Sequence, residues 1–126
     1  MSYKILAINP GSTSTKIAIY EDERELFTTT LEHAVEELER YDNIQDQFAV
    51  RRDAVLSFLE EKAFDIKELS AVVGRGGMLP PVKTGAYEVN ELMLKTLRER
   101  PYMEHASNLG APIAYEIAKA AGVKAY

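Results

Sequence analysis

The sequence predicts an α/β fold. Two observations carry that reading. The first thirty residues read as strands joined by short turns, and from about residue 43 the apolar residues recur at helical spacing, with brief apolar runs returning at 71–74 and 123–126. Residues 4–8 are a short apolar run, as expected of a strand buried on both faces. Residues 9–14 are a turn by composition. Residues 15–20 alternate, with Ile17 and Ile19 on one face and Lys16, Ala18 and Tyr20 on the other. After a charged turn at 21–24, residues 26–31 carry three threonines and read as a third strand. Three strands joined this closely form an antiparallel meander.

The period then changes. A short helical piece is expected over 35–40. Ile44, Phe48, Val55 and Leu59 form one stripe of a helix over about 43–62. Residues 71–74 are a strand running into Arg75, Gly76 and Gly77, and residues 87–89 are a candidate short strand. Asn90 is placed to N-cap a helix that reaches about residue 100, where Pro101 stops it. Pro112 sits in the first turn of a helix that ends at Gly122, with Ile113, Ile117 and Ala121 as its stripe. Residues 123–126 begin a last strand. A chain that stops inside a strand is expected to be cut from a longer protein.

The chain has 126 residues, fifteen Lys and Arg against twenty Asp and Glu, and a net charge of −5, which speaks against nucleic acid as a partner. It has no cysteine, so disulfides and thiolate metal sites are excluded, and its two histidines, His33 and His105, are too few for a His-rich metal site. No apolar run approaches the roughly 20 residues of a membrane span, and the start turns polar too early for a signal peptide. No membrane partner and a cytoplasmic location are expected.

Three segments carry candidate chemistry. Asn9-Pro10-Gly11-Ser12-Thr13-Ser14-Thr15-Lys16 sets four hydroxyls, a glycine and a lysine between two strands. Such a turn offers N–H and O–H donors to an anion, and Lys16 adds charge. It lacks the second glycine and the following helix of a P-loop. A hydroxyl-rich hairpin with no ligand would read the same way. Gly74-Arg75-Gly76-Gly77 lies at a strand end, where α/β proteins place ligands, although a solvated turn fits as well. In Glu104-His105-Ala106-Ser107-Asn108-Leu109-Gly110-Ala111, spacing alone favours a helix cap by Ser107 or Asn108, with His105 incidental. His33 reads as a surface residue on a charged stretch. Arg51 and Arg52 read as helix-surface charges paired with acids one turn away.

Taken together and in this order, the three segments resemble the N-terminal part of the butyrate kinases, in the acetate kinase group of the actin-like ATPase superfamily. The resemblance implies a mixed five-stranded sheet with flanking helices, with residues 78–104 inserted before the second core helix. It implies that residues 1–126 are the N-terminal actin-like domain of a two-domain acyl kinase, the second domain and an essential aspartate lying outside this chain. It implies transfer of the ATP γ-phosphoryl group to butyrate, giving butyryl phosphate and ADP, with Mg²⁺. A related acetate, propionate or isobutyrate kinase is the alternative. If the chain ends at Tyr126, a phosphate-binding or self-associating module is the reading instead. By resemblance, Gly11, Ser12, Thr13, Ser14 and Lys16 line the phosphate turn, with Asn9 beside them in the Mg²⁺ shell. Arg75 and His105 stand at the transferring group, and Gly76, Gly77 and Asn108 stand near the substrate. A homo-oligomer is expected from the family.

Overall fold

A computed structural model describes residues 2–101 and 103–126. Strand β1 (Lys4–Pro10) pairs antiparallel with β2 (Ser14–Glu21), and β2 pairs antiparallel with β3 (Arg24–Glu32). Strand β4 (Ala71–Gly74) adds parallel to β1, and β5 (Lys124–Ala125) adds parallel to β4. The result is the mixed five-stranded sheet that the resemblance implies, in the order β3-β2-β1-β4-β5. β1 is central, flanked by one antiparallel and one parallel neighbour.

Period-2 alternation decides which face is covered. Leu6 and Ile8 of β1, Ile17 and Ile19 of β2 and Val72 of β4 are buried. They form one core with Val55 and Leu59 of helix α2 (Phe48–Glu61) and with Ile113 and Ile117 of α4 (Gly110–Ala121). Each such side chain contributes on the order of 1.5–3 kcal/mol by leaving water. The turn at 44–47 that precedes α2 is a 3₁₀ turn, so the long helix expected over 43–62 is two pieces. The short helix α1 spans Val35–Leu38.

Helix α3 (Glu91–Glu99) starts as expected: the side chain of Asn90 accepts from the N–H of Met93 at 2.9 Å. Helix α4 ends at Gly122, whose φ of 78° lets the N–H of Val123 reach the carbonyl of Ala118 at 2.9 Å. Residues 87–89 form no strand; a single bond from Val89 N–H to the Ala125 carbonyl ties them to β5. Among the described residues no helix is long and apolar enough to cross a membrane.

Candidate functional site

The hairpin between β1 and β2 is closed by the Gly11 N–H donating to the Ser14 carbonyl at 2.7 Å. All three following carbonyls are engaged. Arg51 donates from Nη2 to the Ser12 carbonyl and from Nη1 to the Ser14 carbonyl, each at 3.0 Å. The His33 N–H donates to the Thr13 carbonyl at 2.9 Å. Among the described residues nothing accepts from the N–H of Ser12 or Thr13, and both residues are exposed. The turn therefore presents donors outward and keeps its acceptors occupied. That is the polarity an anion needs.

Arg51 corrects the sequence reading. It is fully buried and has no acid one turn away. Its five N–H groups are all used: Nε and Nη2 donate to Gln47 Oε1 at 3.2 and 3.0 Å, and Nη1 also donates to Thr15 Oγ1 at 3.2 Å. Burial lowers its pKa, yet a guanidinium stays cationic in proteins. Its position was legible in one respect. It lies three residues after Phe48 and four before Val55, on the buried stripe of α2.

His33 is buried as well, not on the surface. Thr15 Oγ1 accepts from Arg51 and also hydrogen-bonds His33 Nε2 at 2.8 Å. Burial, and then the charge of Arg51, lower the pKa of His33, against smaller opposing pulls from Glu37 and Glu32.

The sheet brings Lys16 and Arg75 to the same end. Asn9 pairs in register with Lys16, and the N–H of Arg75 extends β4 by donating to the Ile8 carbonyl at 2.8 Å. Asn9, Lys16 and Arg75 line one cleft of about 280 Å³, and Arg75 also borders a second of about 670 Å³ with Gly76, Gly77 and Met93. Lys16 and Arg75 are exposed.

The third segment is pressed onto the second. Gly76, at a φ of 90°, has its open side against Ser107, where a β-carbon would come within 2.7 Å of Ser107 Cβ. Asn108 is fully buried: its Oδ1 accepts from the N–H of Met78 at 2.7 Å and its Nδ2 donates to the Met103 carbonyl at 2.9 Å. Its amide is spent joining the two segments.

The 3₁₀ turn Ala106–Leu109 leads into α4, and its cap is His105 itself. Its Nδ1 accepts from the N–H of Ser107 at 3.0 Å and lies 2.8 Å from Ser107 Oγ. A nitrogen that accepts from a backbone N–H carries no proton, so the neutral ring is protonated at Nε2. His105 is exposed, and Nε2–H is the donor left over. Among the described residues no group of three or more His, Asp or Glu could hold a metal ion.

No protein-family model matches the chain. Butyrate kinase 2 of Clostridium acetobutylicum is 55% identical over 126 residues, all of this chain and 35% of that protein. A probable butyrate kinase of Clostridium botulinum is 58% identical over 117 residues, 93% of this chain and 33% of that protein. A probable butyrate kinase of Listeria monocytogenes is 48% identical over 118 residues, 94% of this chain and 33% of that protein. The chain thus spans about a third of the length of the curated relatives it matches, and that third is N-terminal. By these matches the chain belongs to the butyrate kinase family, as the counterpart of the N-terminal third of its members.

Proposed function

We propose that this chain is the N-terminal domain of a two-domain acyl kinase that moves the γ-phosphoryl group of ATP onto butyrate, reversibly, giving butyryl phosphate and ADP. The observation that carries the reading is the hairpin after β1, whose carbonyls are engaged while the N–H groups of Ser12 and Thr13 stay free. The names of the relatives supply the acid.

In the forward direction a carboxylate oxygen of the acid bonds to the γ-phosphorus as the bond to the ADP oxygen breaks. Both partners are anions, so the task is alignment and charge stabilisation. Gly11, Ser12, Thr13 and Ser14 cradle phosphate through N–H and hydroxyl donors, and Lys16, exposed on β2 in register with Asn9, adds a positive charge. Arg75, on the rim shared by both clefts, holds the carboxylate or the transferring group. His105 offers its Nε2–H to the transferring oxygens. Gly76 and Gly77 border the larger cleft near the substrate while letting Ser107 and Leu97 pack close, and Asn108 is a positioning residue for the Arg75 and His105 segments. Mg²⁺ would neutralise phosphate charge. Asn9 offers it one amide oxygen, which fits an ion carried in by the phosphates and not one held by this chain alone. The remaining catalytic groups belong to a second domain outside these residues. A homo-oligomer acting in the cytoplasm is the family's expectation.

The test is acid-dependent ADP formation by the full-length protein, with hydroxylamine trapping of the acyl phosphate, across acetate, propionate, butyrate and isobutyrate. Butyrate is expected to give the highest kcat/KM, and Lys16→Ala is expected to raise the KM for ATP by about tenfold or more, as for loss of one charge-assisted bond. No acid-dependent ADP formation overturns the reading, and a different preferred acid moves it to a sibling kinase. Turnover by residues 1–126 alone overturns the two-domain assignment.

A further inference from the structure

We propose that Arg51 is the positioning residue of the phosphate turn. From the core side it holds the carbonyls of Ser12 and Ser14 away from the ligand, and it carries a charge for which a bound phosphate is the counter-ion. The inference rests on reading residues 11–14 as a phosphate site. Arg51 touches no ligand position itself; it acts through the turn.

The geometry supports both halves. Arg51 is fully buried, and its five N–H groups meet four acceptors: the carbonyls of Ser12 and Ser14, Thr15 Oγ1 and Gln47 Oε1. None of the four is a carboxylate, and among the described residues Arg51 joins no ion pair. A buried cation without a counter-charge is costly, and proteins ordinarily pair one with an acid. Here every hydrogen-bonding need is met by neutral oxygens, and the net positive charge remains. Two of those oxygens belong to the turn that presents free N–H groups outward. Field from the guanidinium and dipoles from the turn therefore add in the same direction.

His33 supports the same arrangement from the side, through the Thr13 carbonyl and the Thr15 hydroxyl. It adds no charge while neutral.

The decisive variant is Gln47→Glu. It keeps the shape of residue 47 and its bond to Arg51, but it places a carboxylate where the core has none. A purely structural role for Arg51 would leave nucleotide affinity unchanged. The proposal expects MgADP to bind the full-length Gln47→Glu protein about tenfold more weakly at unchanged or raised Tm, with the KM for the acid unaffected. Arg51→Gln is expected to weaken MgADP by about tenfold or more, and Arg51→Lys, which keeps the charge, to recover part of that loss. Val55→Ala, one turn along the same helix and in the core, is the stability control; it is expected to lower Tm and leave MgADP affinity alone.

The proposal is overturned if Gln47→Glu binds MgADP as the wild type does. It is also overturned if Val55→Ala weakens MgADP as much as the Arg51 variants do. Should the Arg51 variants fail to fold, Gln47→Glu alone decides. If Lys16→Ala weakens MgADP while Gln47→Glu does not, only the role of Arg51 fails. If the wild type does not bind MgADP, the phosphate reading itself fails.

Discussion

The backbone of Gly74, at the end of β4, lies against the carbonyl of Gly110, the first residue of α4, so closely that a β-carbon on Gly74 would collide with it. Gly110 faces back in turn: its own β-carbon would stand 2.8 Å from the Arg75 carbonyl. Strand end and helix start are thus set by main chain against main chain. Gly74→Ala is expected to cost about 1–3 kcal/mol or more through overpacking, because neither obstacle is a side chain that can turn aside. Gly122→Ala meets open space and suffers only from its left-handed φ, about 1–2 kcal/mol. Urea midpoints of the two variants measure the difference.

Arg75 is exposed, and among the described residues its side chain has no hydrogen-bond or ion-pair partner. Arg75→Ala should therefore leave stability within about 0.5 kcal/mol. If the guanidinium stands at the transferring group, kcat falls by about 10²–10³-fold with little change in the KM for ATP. Steady-state kinetics of the full-length protein separate the two; a near-normal kcat would remove Arg75 from the chemistry.

His105 does two things that substitution can separate. His105→Ala loses the bond from the Ser107 N–H and is expected to cost about 1 kcal/mol as well as turnover. His105→Asn keeps a cap acceptor and loses the Nε2–H donor, so stability should hold while kcat falls. Thermal melts and kinetics on both variants test this; equal kcat in wild type and His105→Asn would assign His105 to the cap alone.

His33 makes stability depend on pH. Its folded pKa lies below the ordinary 6.5, because burial and Arg51 oppose the charged form. The neutral ring's contribution is complete above the unfolded value. It is lost as pH falls through the folded value, because the unfolded chain takes up the proton first. Urea midpoints should fall from pH 7.5 to pH 5.5, and His33→Gln, which keeps an uncharged hydrogen-bonding group for Thr15, should flatten that slope. An equal slope in the variant would assign the effect to other groups.

The strands were legible because their patterns are local. Residues 4–8 form one apolar run, and residues 15–20 alternate strictly, so each could be read without its neighbours. The five-stranded order was not local; only the mixed sheet followed from resemblance, and the parallel addition of β4 and β5 came with the structure. Asn90 and Gly122 were legible as caps because the chemistry of a cap lies within four residues of it. The hydrogen-bond partners of Arg51 and His33 were not, although the spacing of Arg51 put it on the buried stripe of α2. A charged residue in a helix reads as solvated unless its acceptors are known, and those of Arg51 lie in the β1–β2 hairpin as well as at Gln47. The role of Asn108 was hidden for the same reason, since its partner Met78 is thirty residues away. Residues 87–89 failed as a strand because β5 gives them one hydrogen bond and no ladder.

The eight residues from Asn9 to Lys16 look like a portable cassette, short and contiguous. Their polarity is not contained in them. The donors that occupy the Ser12 and Ser14 carbonyls come from a residue 39 and 37 positions downstream. Grafted into another hairpin, or made as a free peptide, the same eight letters would keep their hydroxyls and lysine and lose the orientation of their peptide groups. A search that scores such a turn by its letters alone will rank impostors beside true sites. If the proposed role of Arg51 holds, a search that also asks for a buried arginine beneath the turn separates the two.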